Sequence, residues 1–168
     1  MAKFDVKTIG QAARLPFRVA ASATRGYVGE PMLVIPSYTS GVSDVNTIVV
    51  LTDDKPVIGT DQFVGVLAKD MEVNSGGTVL AHRTNVDVPF PGITRLEAAV
   101  TTAATADTES EAIGLLFDLY VFDLISSTYT WKPAAADTAG FRAQWYNVVG
   151  SKLHCVVDAR AATRVDIT

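Results

Sequence analysis

His82, the adjacent pair His154 and Cys155, and a scatter of carboxylates are the side chains whose types could carry acid–base, nucleophilic or metal chemistry. His82 stands between Ala81 and Arg83 in a run that reads as strand. A catalytic imidazole needs an orienting partner and a proton to abstract, and no G-x-S-x-G nucleophile elbow accompanies it. An ordinary half-exposed strand histidine is the expectation. Successive strand residues point to opposite faces, so His154 and Cys155 should diverge rather than share a metal. The lack of a second cysteine and of H-x-x-x-H spacing argues against zinc. Cys155 reads as a small core residue. Asp53, Asp54 and Asp61 gather around "KPVIGT", but an EF-hand loop needs alternating ligands closed by a glutamate. Solvated acids at a turn fit that stretch better. Neither "GYVGEP" nor "NSGGTV" continues into the Lys and Ser/Thr of a phosphate loop. No catalytic residue, metal or cofactor is expected.

Two further arrangements of chemically capable residues stay open. Trp131 and Trp145, with Tyr129 and Tyr146, could form a flat sugar-stacking surface, although core or interface packing is the commoner fate of strand aromatics. A small hydrolase using His82 or His154 would need a carboxylate that the spacing does not disclose.

The elements that must position these residues read as mostly β. The runs "PMLVIP", "VNTIVVLT" and "QFVGVLA" are rich in β-formers and separated by turn residues such as "DDKP". Gly65 inside the third run suggests a bulge or a close backbone contact. "NSGG" supplies residues that tolerate positive φ, hence a turn. In "TVLAHRTNVDVPF", Val86, Val88 and Phe90 alternate with Asn85 and Asp87, a half-buried strand that "PFPG" breaks. "ITRLEAAVTT" resumes as strand with imperfect alternation. "STYTWK" and a closing hairpin over "FRAQWYNVVGSKLHCVVDARA" complete the β pattern.

One helix is expected, near residues 108–121. Thr108 and Glu111 make a T-x-x-E capping box, and Ile113, Leu116, Phe117, Tyr120, Val121 and Leu124 follow at helical spacing. Tyr120, Val121 and Phe122 also allow a strand over "LYVFDLI", and helix to about Val121 followed by extended chain is favoured. Residues 1–26 show no sustained period and are read as an extended N-terminal arm, with residues 27–168 as a single β-rich domain, barrel- or sandwich-like.

Composition narrows the class. At 168 residues one domain is expected, large enough to bury roughly 70% of its unfolded surface without metal or disulfide. Apolar residues make up 48% and charged ones 19%, which is apolar enough to suggest surface buried against other copies or other chains. No run approaches the roughly 18 apolar residues of a membrane span. The start lacks the compact apolar region of a secretory signal, and a transit peptide is a minor option. The single cysteine excludes an intrachain disulfide and fits synthesis in a reducing compartment. Residues 1–30 sum to +3 and the remainder to −7. A basic arm could lie on an acidic neighbour, or the terminus could simply be loose with ordinary charge scatter. The acidic body, with no basic stripe interleaved with aromatics, argues against nucleic-acid binding.

The stretch "GEPMLVI…TDDKPVIGTDQFVGVLAKDMEVNSGGTVLAHRTNVDVPFPGITRL" resembles the head-decoration (cement) proteins of tailed bacteriophages. A Gly-flanked strand, a "G(I/V)…A…D" strand, a Gly turn and a "V-x-V-P" strand stand there in order. "DTESEAIGLLFDLYVFD", "YTWKPAAADTAGF" and "VVDARAATRVDI" extend the resemblance over about residues 27–168. It implies a structural virion protein, not an enzyme, made in the host cytoplasm and bound to the capsid exterior as a homotrimer. Its partner would be the major capsid protein, and its action would be to stabilise the expanded shell. An arm of this kind orders on the shell and can add a strand to a capsid sheet. The expected capsid contacts are Phe4, Arg14, Phe17 and Arg18, and the expected oligomer interface is Phe90 and Ile93. A carbohydrate-binding virion protein is the alternative.

Overall fold

The computed structural model describes residues 6–34, 48–50, 62–100, 113, 115–123, 128–133, 141–147 and 152–157. These form eleven strands and, among the described residues, no helix: β1 (Lys7–Ile9), β2 (Ala12–Val19), β3 (Pro31–Val34), β4 (Ile48–Val50), β5 (Gln62–Leu67), β6 (His82–Pro89), β7 (Arg95–Val100), β8 (Leu116–Asp123), β9 (Thr128–Pro133), β10 (Phe141–Asn147) and β11 (Lys152–Val157). The mainly β expectation holds, and the strands divide between two sheets.

The first sheet runs β1-β7-β11-β10-β8-β9, and β9 also pairs with β7, in parallel. The neighbours β7, β11, β10, β8 and β9 thus close into a ring, with β1 paired to the outside of it through β7. Alternation sorts its two faces. Leu96, Ala98, Phe117, Trp131, Phe141, Ala143, Leu153, Cys155 and Val157 form one buried cluster. The opposite face carries Lys7, Glu97 and His154, aligned across three strands by register.

The second sheet runs β2-β6-β5-β3-β4. On β5, Phe63 and Val66 pack into the first cluster. Val64 and Leu67 join a second cluster with Val19, Met32, Ile48, Met71, Val79 and Val86. This double service needs a phase change, and the register against β3 shifts between Met32 and Leu33, opposite Gly65. A Cβ at Gly65 would collide with the Asp87 carbonyl oxygen, so the close backbone contact inferred from sequence is present.

Two expectations are corrected. The helix near 108–121 is not found: Thr108 and Glu111 lie outside the described residues, and Leu116–Asp123 is a strand paired to β9 and β10. Leu116, Phe117, Tyr120 and Val121 fit helical spacing, but aromatic and β-branched residues serve a strand equally well once neighbours supply the backbone partners. The extended arm is likewise not separate over Lys7–Val19. β1 pairs with β7, and all eight residues of β2 pair with β6. Val6 and Val19 are buried in the two clusters, one each. Apolar burial and a full ladder of backbone hydrogen bonds outweigh the basic charge that set this segment apart in the sequence.

Candidate functional site

Each histidine has structural work. His82 opens β6 next to a small hairpin held by the Val73–Val79 bridge. Asn74 Oδ1 accepts the N–H groups of Gly76 and Thr78, both at 2.9 Å, which makes "NSGG" the turn its residues imply. The His82 ring closes this hairpin from the side: Nδ1 lies 2.6 Å from the Leu80 carbonyl oxygen, and Nε2 accepts the Glu72 N–H at 3.2 Å. Those partners assign the proton to Nδ1 and leave neither nitrogen poised for substrate.

His154 has the carboxylate that spacing alone did not disclose. Its Nε2 is 2.7 Å from Glu97 Oε2, and Lys7 Nζ is 3.9 Å from the other Glu97 oxygen. An imidazole–carboxylate pair can act as a general base when it faces a nucleophile. Register puts Ile9, Arg95, Ala99, Lys152 and Val156 beside it on β1, β7 and β11, none with a hydroxyl or thiol, and sets Trp145 of β10 opposite His154. The row is a charge-complementary tie across three strands. Cys155, one residue on, points into the first cluster, as alternation requires, and burial pushes its thiol pKa well up. Among the described residues no group of three or more His, Cys, Asp or Glu could hold a metal. Asp53, Asp54 and Asp61 lie outside the described residues.

Trp131 belongs to the interior. It is buried against Phe141, with ring centroids 5.0 Å apart, and its Nε1–H donates to the Leu153 carbonyl at 2.9 Å. It can take no part in a sugar-stacking surface. Tyr129 sits in β9, and Trp145 and Tyr146 in β10.

The residues singled out for contact fall in two places. Phe4 lies outside the described residues. Arg14, Phe17 and Arg18 share β2, which among the described residues stands at one end of the second sheet's order. Phe17 turns towards the second cluster. Arg14 grips Asp87 directly across the ladder through two hydrogen bonds, Nε–Oδ1 at 2.8 Å and Nη2–Oδ2 at 3.1 Å. The paired carboxylate raises the Arg14 pKa further above its usual value. Arg18 stands exposed opposite Arg83.

Phe90 and Ile93 sit on the corner where the chain passes from the second sheet to the first. Thr94, fully buried, pins that corner: its hydroxyl accepts the Phe90 N–H at 2.8 Å and donates to the Gln11 carbonyl. The Phe90 carbonyl accepts from Ile93 and Thr94, and the Gly92 N–H reaches the Val157 carbonyl at 3.0 Å. Gly92 at φ +71° allows the reversal. The second passage between sheets, at Gly10–Gln11, is tied to this one through Thr94. The result is a rigid corner with Phe90 43% and Ile93 71% exposed.

No protein-family model, curated protein or solved structure matches the chain.

Proposed function

We propose that this chain is a structural virion protein that binds the outer surface of a tailed-phage capsid and stabilises the expanded shell. The observation that carries the reading is the corner at Phe90–Ile93. Large apolar side chains held out to water on a rigid turn cost little to order on contact, so their burial goes largely into affinity. Taking such a side chain from full exposure to full burial is worth about 1.5–3 kcal/mol, and Phe90, already more than half covered, contributes a smaller share of that than Ile93. The sequence resemblance to cement proteins supports the same reading, as does the assignment of both histidines to structural ties. The partners would be the major capsid protein and further copies of the chain, with a homotrimer as the expected assembly. Because Trp131 is internal, no observation favours the carbohydrate-binding alternative.

Deleting residues 1–26 would strip β1 and β2 from the sheets, so the informative variant is Phe90→Asp/Ile93→Asp, both at exposed positions. Co-sedimentation with expanded empty capsids should show saturable binding of the intact chain. The variant should bind at least about tenfold more weakly, since about 1.4 kcal/mol is a factor of ten. Failure of the intact chain to bind would refute the proposed function.

A further inference from the structure

The hairpin that the Val73–Val79 bridge holds carries a reaction of its own. Asn74 folds its side-chain amide back over the turn, where Oδ1 accepts the Gly76 and Thr78 N–H groups. Both partners are donors, so the amide oxygen faces them and the NH2 group faces the other way. Reaching Gly76 and Thr78 lays Cγ against the peptide of the intervening Ser75. The main chain is engaged almost throughout. The Asn74 N–H donates to the Thr78 carbonyl at 2.9 Å, and the Gly77 N–H donates to the Asn74 carbonyl at 3.0 Å. Of the N–H groups from Asn74 to Thr78, only that of Ser75 makes no hydrogen bond among the described residues. Asn74, Ser75, Gly76 and Gly77 are all exposed. A carbonyl carbon polarised by two donors thus stands next to an unengaged nitrogen, with its amine side towards water.

We propose that Asn74 is a self-modification site, at which the Ser75 nitrogen attacks Cγ and the side-chain amide becomes a carboxylate. The Ser75 N–H gives its proton to hydroxide, and the nitrogen forms a bond to Cγ. The carbonyl electron pair moves onto Oδ1, where the Gly76 and Thr78 N–H groups already point and hold the oxyanion. When the pair returns, the Cγ–Nδ2 bond breaks. The amine takes a proton from water and leaves as ammonia, which restores the hydroxide and leaves a five-membered succinimide. Water then opens that ring. Attack at Cγ gives aspartate, and attack at the main-chain carbonyl carbon gives β-linked isoaspartate. Aspartate keeps an oxygen where Oδ1 stands and, being charged, accepts the same two N–H groups more strongly. Isoaspartate lengthens the main chain by a methylene and draws the oxygens off those donors. The hairpin it loosens packs Val73 and Val79 into the second cluster and carries the Glu72 and Leu80 partners of His82. Asn85, also exposed, is the internal control: its successor Val86 is β-branched and paired in the β2–β6 ladder.

Incubation of the full chain at neutral and mildly alkaline pH tests this, folded and unfolded in guanidinium chloride side by side. Isoelectric focusing reads the added negative charge, and peptide mass analysis assigns it to a residue. The expected result is conversion at Asn74 that quickens with pH, with Asn85 unchanged in the folded chain. Two donors on the oxyanion should make it at least about tenfold faster folded than unfolded. Ser75→Val crowds the attacking nitrogen and leaves the bonds of the turn in place, so it should convert more slowly than the parent. Conversion no faster in the folded chain than in the unfolded one overturns the inference, because the rate then belongs to the Asn-Ser sequence alone. So does conversion that Ser75→Val leaves unchanged, because water then attacks the amide directly.

Discussion

Replacing Thr94 by valine tests whether one buried hydroxyl holds the corner on which the proposed contact depends. Valine keeps the shape and removes the oxygen, so the Phe90 N–H loses its acceptor and the Gln11 carbonyl loses its donor. A buried polar group left without a partner costs about 1–3 kcal/mol. Gln11 and Phe90 are both exposed residues, so water recovers part of the loss, and about 1–3 kcal/mol for the two bonds together is the expectation. In a domain of this size that corresponds to a fall in Tm of roughly 2–4 °C per kcal/mol. The assay is urea unfolding of the parent, Thr94→Val and Thr94→Ser side by side. Serine keeps the hydroxyl and gives up one methyl, a loss of about 0.8 kcal/mol. Valine should be the less stable of the two, with an unchanged m-value. Valine as stable as the parent, or serine as damaging as valine, would refute the reasoning, because the hydroxyl would then not be what ties Gln11 to Phe90.

Two further outcomes follow from the packing. Gly65→Ala drives a methyl into the Asp87 carbonyl and against Val86. Overpacking of this kind costs about 1–3 kcal/mol or more, and denaturant unfolding should register it, whereas Gly77→Ala, with open space around the Cβ position, should suffer only from its positive φ. Cys155 gives a pH dependence of known sign. Burial raises its folded-state pKa, so above about pH 8.5 the unfolded chain releases the thiol proton while the folded chain retains it. The thiol's stabilising contribution is complete below that value and fades as the pH rises through the folded-state pKa. Comparing unfolding of the parent and Cys155→Ala from neutral to alkaline pH should show a steeper alkaline decline in the parent, and parallel curves would contradict the burial.

Much of the local structure was legible because it is encoded locally. The "NSGG" turn follows from residues whose side chains or absent Cβ permit the required φ, and Asn74 closes it on its own neighbours. The alternation expected of β6 holds at Asn85 and Val86, one exposed and one buried, whereas Asp87 and Val88 are both half-buried and Phe90 lies exposed beyond the strand. The opposite orientations of His154 and Cys155 follow from the same period. The failures have a common form. Leu116, Phe117, Tyr120 and Val121 satisfy helical and strand readings at once, and only β9 and β10 resolve the tie. The N-terminal segment looked apart because its charge differs from the rest, but its strand partners lie far along the chain.

What the sequence by itself determined is the β class, the turns and the sorting of individual strands into inward and outward residues, since these depend on side-chain periodicity and on the φ each residue tolerates. What only the tertiary structure decided is which residues meet. Arg14 and Asp87 are 73 residues apart, His154 and Glu97 57, and Thr94 and Gln11 83. Strand neighbours are set by backbone hydrogen bonds that every residue can make, so the choice of partner rests on how the whole set of strands buries its apolar faces. The corner at Phe90–Ile93 and the Arg18–Arg83 rung exist through that choice.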